Sequence, residues 1–148
     1  MPLAIRPLTA ADRASWEPLW AGYLAFYEAS VPPAATDTTW SRLLDPAEPM
    51  GAFGAFTAEG RLIGIVHYLF HRSTWTPGDY CYLQDLFTAP EARGQGAGRA
   101  LIEAVYDRAR EAGASRVYWH TQGDNETARA LYDKLADHSG FTVYRKLL

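Results

Sequence analysis

The chain has 148 residues, of which 48% are hydrophobic and 21% charged, and this balance predicts one folded domain over residues 1–148 and excludes wholesale disorder. The formal net charge of -3 argues against a nucleic-acid partner, since no global positive field would attract one. The single cysteine, Cys81, cannot form an intramolecular disulfide, and neither a signal peptide nor an apolar run of bilayer length is evident, so we expect a cytoplasmic protein without a membrane partner.

The N-terminal third is predicted to form a short alternating strand and two helices. Thr9 to Asp12 has the form of a helix N-cap with an acid three residues on. The helix that follows carries aromatic and leucine side chains at three- and four-residue spacing up to about Ser30, which predicts one apolar face. After a proline break, a second helix is expected to be capped by Thr36 or Asp37.

Three β-strands are predicted next. Gly51–Thr57 and Leu62–Phe70 are expected to pair as a hairpin, and Tyr80–Thr88 is a third strand rich in aromatic and branched side chains. His67 and His71 share one face of the second run by parity. Because no third ligand lies within reach of them in the sequence, we assign no metal site.

The third strand leads into a glycine-rich turn, Arg93-Gly94-Gln95-Gly96-Ala97-Gly98-Arg99. Glycines at alternate positions leave backbone N–H groups uncovered at the N-terminus of the helix that follows, and two arginines flank them. The turn therefore predicts a cradle for phosphate. It lacks the Gly-Lys-Ser/Thr ending of a phosphate-loop NTPase and the Gly-x-Gly-x-x-Gly spacing of a dinucleotide-binding turn, so both of these classes are disfavoured.

The rest of the chain is predicted to form a helix, a strand, another helix and a final strand. The first helix runs from about Gly96 to Glu111, and Ser115–Thr121 is the strand after it. Asp124 or Asn125 is expected to cap the next helix, and Phe141–Leu147 the last strand. Together these elements predict an α/β domain in three layers.

Two stretches resemble the Gcn5-related N-acetyltransferase (GNAT) family. Leu86 to Leu101, with its Arg-x-x-Gly-x-Gly turn, is similar to the family's central strand, pyrophosphate loop and helix. Asn125 to Lys134 is similar to the family's Asn-x-x-Ala-x-x-Leu-Tyr-x-Lys helix. The chain looks most like the histone/polyamine acetyltransferase-type branch. The resemblance implies a GNAT-like fold, with a mixed, mostly antiparallel central sheet, a splayed strand pair and helices on both faces.

The resemblance also implies partners and binding residues. Acetyl-CoA would be the co-substrate, an amine the acceptor, and no metal would be needed. The family-like C-terminal strand, Thr142 to Leu148, could pair across subunits and so implies a homodimer. The acetyl-CoA-binding residues carried over from the two motifs are Leu86, Phe87, Thr88, Arg93, Gly94, Gln95, Gly96, Ala97, Gly98, Arg99, Asn125, Ala128, Tyr132 and Lys134.

Transfer of an acetyl group from a thioester to an amine needs a base for the amine proton, a donor to the oxyanion and an acid for the thiolate. Tyr132, which matches the family's tyrosine, is the predicted acid, since its phenol stays protonated at neutral pH. A backbone N–H of Leu86 or Phe87 is the predicted oxyanion donor. Asp85 is the candidate base, acting through a water molecule. The alternative interpretation is that Asp85 has a purely structural role, with its carboxylate held by backbone N–H groups.

The acceptor side is less defined by the sequence. Relatives often have an acid where this chain has Gln84, so an acyl-CoA-binding module without catalysis remains an alternative, as does a protein acetyltransferase of the lysine or histone type. The acidic residues near the expected cleft favour a cationic amine. The predicted acceptor-binding residues are Tyr23, Tyr27, Glu28 and Gln84.

Overall fold

Five strands form one sheet in the computed structural model, which describes residues 2–148. In chain order they are β1 (Ala4–Pro7), β2 (Met50–Phe56), β3 (Leu62–His71), β4 (Tyr80–Thr88) and β5 (Arg116–Tyr118). They lie side by side in that order, antiparallel except for the parallel pair β4 and β5. The predicted mixed, mostly antiparallel sheet is therefore confirmed.

Helices cover both faces of this sheet. They are α1 (Arg13–Phe26), α2 (Pro33–Leu44), α3 (Ala97–Glu111) and α4 (Glu126–Leu135). Alternate residues of β3 show the two faces. His67 contacts Trp16 of α1, whereas a Cβ on Gly64 would lie 3.2 Å from Leu101 of α3. The two helix layers and the sheet between them form the predicted three-layer arrangement.

The core is densest where the sheet meets α1 and α3. Its largest fully buried side chains are Trp16, Ile63, Ile65, Val66, Cys81, Leu101, Ile102 and Val105. Burial raises the pKa of the Cys81 thiol to about 12, so this thiol is an apolar core group that stays protonated.

The first two helices begin differently from one another. Before α1, the N–H and hydroxyl of Thr9 both donate to Asp12 Oδ2, as the sequence predicts, and the turn between them is a short 3-10 helix. For α2 the prediction is wrong: the helix starts at Pro33, three residues before Thr36. A proline in the first turn of a helix needs no intrahelical N–H partner, so the expected break is in fact the helix start.

β4 is irregular in two places, at a bulge and at the point where its pairing with β5 ends. His67 pairs with Asp85 and Tyr68 with Leu83, so Gln84 is an extra residue and forms a β-bulge. Because cross-strand partners project from the same face, Leu83 and Asp85 lie on opposite faces although they are two residues apart. β5 pairs only with residues 80–82 of β4, and beyond them the two strands separate, which confirms the predicted splayed pair.

The C-terminal part of the chain departs from the prediction. β5 is three residues long instead of seven, and Phe141–Leu147 forms no strand. Phe141 is 82% exposed and Tyr144 93% exposed, so this apolar segment packs against nothing within residues 2–148. A strand forms only where an edge offers hydrogen-bond partners, and the expected pairing is not made inside this chain.

Candidate active site

A cleft of about 570 Å³ opens where β4 and β5 separate, between α1, the glycine-rich turn and α4. Gly22 on α1 lets the ring of Phe87 approach that helix, since a Cβ on Gly22 would lie 2.9 Å from ring carbons of Phe87. The cleft is lined by Tyr23, Phe26, Tyr27, Leu86, Phe87, Thr88, Arg93, Gly94, Gly96, Ala97, Gly98, Arg99, Asn125, Thr127, Ala128, Leu131 and Tyr132.

Most of the predicted site residues thus meet at one place, although they come from four separate elements. The predicted residues that do not line the cleft are Gln84, Asp85, Glu28, Gln95 and Lys134. Three lining residues were not predicted. They are Phe26, Leu131 and Thr127; Phe26 and Leu131 are apolar helix residues whose type does not distinguish a cleft from a core, and Thr127 lies in the first turn of α4 with no signal of its own.

The glycine-rich turn has the backbone that an anion cradle needs. Gly94 and Gly96 have φ values of 86° and 83°, in the left-handed region that favours glycine. Gly96 is the N-cap of α3, so the free N–H groups of the first helical turn face the cleft together with the positive end of the helix dipole. A Cβ on either glycine would meet no atom within 4 Å, so the backbone conformation and not crowding is what favours glycine here.

The two arginines of the turn differ in their surroundings. Arg99 Nε donates to Glu103 Oε1 at 2.9 Å, one helical turn along, so part of its charge is already paired. The guanidinium of Arg93 lies 5.8 Å from the centre of the Phe87 ring, at the cleft wall. Arg93 is therefore the better placed of the two to contact an anionic ligand.

Tyr132 lies at the α4 side of the cleft. Its ring packs edge-on against Trp119, with 5.3 Å between ring centres. Burial raises the pKa of Tyr132 above its ordinary value, and the nearby Tyr27 adds to this effect. The phenol is therefore protonated at neutral pH and can donate a proton into the cleft.

Tyr23 and Tyr27 lie on the opposite wall, one turn apart on α1, with 5.0 Å between their ring centres. Burial raises the pKa of both phenols, and for both the Asp85 carboxylate raises it further. The largest rise is at Tyr23. Two phenols that stay protonated thus line the cleft on the α1 side.

Asp85 lies behind this wall and is only 8% exposed. Its Oδ2 is 2.9 Å from His67 Nδ1, so its partner is a side chain on the neighbouring strand and not a backbone N–H. The two remaining residues predicted for the acceptor side, Gln84 and Glu28, do not line the cleft. Gln84 is exposed at the bulge, and Glu28 follows the end of α1 with a φ of 53°. Asp85 can therefore act on the cleft only through another group.

Neither a metal centre nor a membrane segment appears in the part of the chain that the structure describes. Among residues 2–148, no three His, Cys, Asp or Glu side chains come close enough together to hold a metal ion. None of the helices there combines the length and the hydropathy that crossing a bilayer requires.

Known proteins are similar to this chain in sequence and in fold. A family model described as "Acetyltransferase (GNAT) family" matches residues 16–136. The chain is 36% identical to the D-amino-acid N-acetyltransferase HPA3 of Saccharomyces cerevisiae over 145 residues, which cover 97% of this chain and 90% of that protein. It is also 36% identical to the thialysine N-epsilon-acetyltransferase of Sus scrofa over 90 residues, which cover 61% of this chain and 48% of that protein.

Among solved structures, the fold is similar to that of AAC(6')-Iy in complex with the bisubstrate analogue CoA-S-monomethyl-acetylneamine. The TM-score is 0.83 and the sequence identity 20%, and each chain is covered completely. At that identity the similarity concerns the fold, and it agrees with the sheet order and helix layers described above.

Proposed function

The chain belongs to the acetyltransferase (GNAT) family and is an N-acetyltransferase, and from this premise we propose that it moves the acetyl group of acetyl-CoA directly to the primary amine of a small molecule. The observation that carries the proposal is the cleft, in which the glycine-rich turn, the separated part of β4 and Tyr132 line one volume. We further propose that residues 1–148 form one domain of this kind.

Each part of the cleft matches a part of acetyl-CoA. The backbone N–H groups after Gly94 and Gly96 would hold the pyrophosphate, with Arg93 beside it. Leu86, Phe87 and Thr88 lie where β4 has lost its neighbour β5, so their backbone groups are available to an extended pantetheine arm. Of the predicted acetyl-CoA residues, Gln95 and Lys134 are not among those that line the cleft, so we expect them to contribute least.

The chemistry then needs few groups. A backbone N–H of Leu86 or Phe87 would donate to the carbonyl oxygen as negative charge develops on it. Tyr132, kept protonated by burial, would donate its proton to the sulfur as the carbon–sulfur bond breaks. Asp85 would receive the amine proton indirectly, since it lies behind the cleft wall.

The acceptor is proposed from the relatives. A relative that matches 97% of this chain is a D-amino-acid N-acetyltransferase, and a second is a thialysine N-epsilon-acetyltransferase. We therefore propose a small amine with amino-acid character as the first acceptor class to test, ahead of a protein lysine.

The test is CoA release with a panel of amino acids and diamines, followed by Tyr132→Phe on the best acceptor. We expect Tyr132→Phe to lower kcat by about 100-fold or more, with the Kd for acetyl-CoA changed by less than about threefold. Tyr144→Phe, at a residue 93% exposed outside the cleft, is the matched control and should turn over like the wild type. Unchanged turnover in Tyr132→Phe would remove the assignment of the acid.

We also propose a homodimer that works in the cytoplasm and binds no nucleic acid. Support for the dimer comes from the exposed apolar segment around Phe141 and Tyr144, which would be covered by a second copy. Light scattering should give twice the 16.5 kDa mass of one chain, and removal of residues 141–148 should return it to one. A single-chain mass for the full protein at working concentration would refute the dimer.

A further inference from the structure

A buried pair of titratable side chains lies next to the cleft without lining it. His67 on β3 is 2% exposed and Asp85 on β4 is 8% exposed, and 2.9 Å separates His67 Nδ1 from Asp85 Oδ2. The bulge at Gln84 makes this contact possible, because it turns Asp85 onto the face of the sheet that His67 and α1 share. The bulge in β4 thus brings the Asp85 carboxylate into contact with the His67 imidazole.

The hydrogen bond at the other ring nitrogen of His67 determines which of the two nitrogens carries the proton. Trp16 Nε1 lies 3.0 Å from His67 Nε2, and an indole N–H can only donate. His67 Nε2 must therefore accept, which leaves the imidazole neutral with its proton on Nδ1. That proton is donated to Asp85, so Asp85 is the anionic partner of the pair.

Trp16 holds this arrangement rigidly. Its side chain is completely buried, and it packs against the rings of Trp20 and Trp40 with centres 5.7 and 4.7 Å away. Since Nε2 is engaged by Trp16, the lone pair of His67 is not free to take up a proton from substrate. His67 is thus suited to orient Asp85 and not to act as a base.

Tyr23 connects the pair to the cleft. It lines the cleft, while burial and the Asp85 carboxylate behind it raise the pKa of its phenol well above the ordinary value. The other titratable groups that act electrostatically with Asp85 are Tyr27 on α1 and Tyr82 on β4. Geometry places Tyr23 next to the pair, because the Trp20 ring packs against both Tyr23 and His67, with ring centres 5.6 and 5.4 Å away.

We propose that His67 is a positioning residue for acetyl transfer, which holds Asp85 as an anion directed at Tyr23, so that Tyr23 passes the amine proton to Asp85. In this step one N–H bond of the acceptor's ammonium group breaks as an O–H bond forms on Tyr23. The phenol's own O–H bond breaks as an O–H bond forms on Asp85. The electron pair left on nitrogen attacks the carbonyl carbon. This inference rests on the proposed function.

Two isosteric substitutions of His67 separate orientation from mere packing. Asparagine can place an amide N–H where Nδ1 was, so His67→Asn keeps the donor to Asp85. Glutamine places its amide near the former Nε2, where its oxygen can accept from the indole N–H, and so His67→Gln loses the donor to Asp85. His71→Gln, on the same strand and the same face, is the matched control; His71 hydrogen-bonds to Tyr118 outside the cleft.

We expect His67→Gln to lower kcat roughly 10- to 100-fold, while His67→Asn stays within about fivefold of the wild type. KM for acetyl-CoA should not change in either. In His67→Gln the acid limb of the kcat/KM profile should move to higher pH, because a buried carboxylate that loses a donor is protonated more readily. Equal losses in both variants with an unmoved acid limb, or no loss in either, would overturn the inference.

Tyr23→Phe removes only the hydroxyl at the cleft wall and leaves the His67–Asp85 pair intact. This variant therefore tests the inference even if the His67 variants do not fold. We expect kcat to fall roughly 10- to 100-fold with the Kd for acetyl-CoA unchanged, and wild-type turnover would overturn the inference.

NMR of nitrogen-labelled histidine gives a readout without turnover. Near neutral pH, His67 should carry its proton on Nδ1, and a proton on Nε2 would overturn the inference.

Failure of the proposed function is seen separately from failure of this inference. A wild-type chain that binds acetyl-CoA but releases no CoA with any amine would overturn both. A wild-type chain that turns over normally, with variants that behave like the His71→Gln control, would overturn only the role of His67.

Discussion

Helices α3 and α4 both border the cleft, and both are amphipathic in sequence, yet they are held in the protein in different ways. α3 buries Ala97, Leu101, Ile102, Val105 and Ala109 against the sheet, whereas no residue of α4 is buried. Tyr106 of α3 donates its hydroxyl to the carbonyl of Leu135 at 2.8 Å, which ties the end of α4 to the body of the domain. One helix is part of the core and the other lies against it.

The difference shows what an apolar helix face can mean. The pattern in α3 is satisfied by the sheet, while in α4 Ala128, Leu131 and Tyr132 face the cleft. A periodic apolar face predicts that a helix has a partner, but the partner can be a core, a ligand or another chain. We infer that α3 carries mainly stability and α4 mainly function, and the following predictions test that division.

The largest expected difference is between two leucine truncations. Leu101→Ala, at a completely buried position in α3, should lower the free energy of unfolding by about 3 to 5 kcal/mol, since a cavity is left in the core. Leu135→Ala in α4 should lower it by about 1 kcal/mol, because this side chain is only partly buried. Urea titration of both variants measures the contrast, and similar losses would show that α4 belongs to the core.

The glycine-rich turn allows the same contrast within a few residues. Gly96→Ala puts a Cβ on a left-handed backbone and should lower the free energy of unfolding by about 1 to 2 kcal/mol, with weaker acetyl-CoA binding. Gly98→Ala is the control, since its φ is outside that region and its Cβ would lie at an ordinary 3.6 Å from Leu131. Calorimetric titration should show retained affinity in Gly98→Ala; equal losses would argue against backbone conformation as the cause.

The start of α1 should respond to pH. Asp12 accepts hydrogen bonds from Arg6 and Thr9, and the bond from Arg6 is the main reason that the pKa of Asp12 is lowered. A lowered carboxyl pKa stabilises the fold above the unfolded-state value near 4 and loses this effect as the pH falls through the folded-state value. Asp12→Asn should therefore cost about 1 kcal/mol at neutral pH. A difference that persists in acid would contradict this origin.

The start of α4 should show the smallest effect. The Asn125 side chain accepts from the N–H of Ala128 at 3.2 Å, a neutral cap on a peripheral helix. Asn125→Ala should lower amide-exchange protection in the first turn of α4 by about threefold to tenfold and hardly change the global unfolding midpoint. Asn125→Asp, which retains a capping oxygen, is the control. A large global loss would mean that α4 folds as one unit with α3.

Much of the fold was predictable because local patterns coincide with the final contacts. The hairpin of β2 and β3, the aromatic strand β4 and the helix α3 appear within a residue or two of their expected bounds. Asn125 caps α4 as expected, and Gly113 follows α3 with a φ of 76°. In each case the signal is short-range, since turn residues, caps and periodicity act within a few positions.

The final strand could not be predicted in the same way. Phe141–Leu147 has strand composition, but a strand exists only when a neighbouring edge accepts its hydrogen bonds. No such edge is used within the described chain, and composition does not reveal whether the partner lies in the same molecule. The start of α2 shows the converse case, since the proline expected to break a helix at Pro33 is instead the first residue of one.

The sequence by itself determined the glycine-rich turn, the strand before it, the helix after it and the tyrosine on α4, because these depend on residue type and spacing. Only the tertiary structure decided what surrounds Asp85. The bulge at Gln84 changes which face Asp85 occupies, and the partner it meets, His67, is 18 residues away in the chain. Strand alternation would have sent Asp85 to the face of Leu83, so a single inserted residue, visible only in the pairing of two strands, placed the carboxylate behind Tyr23.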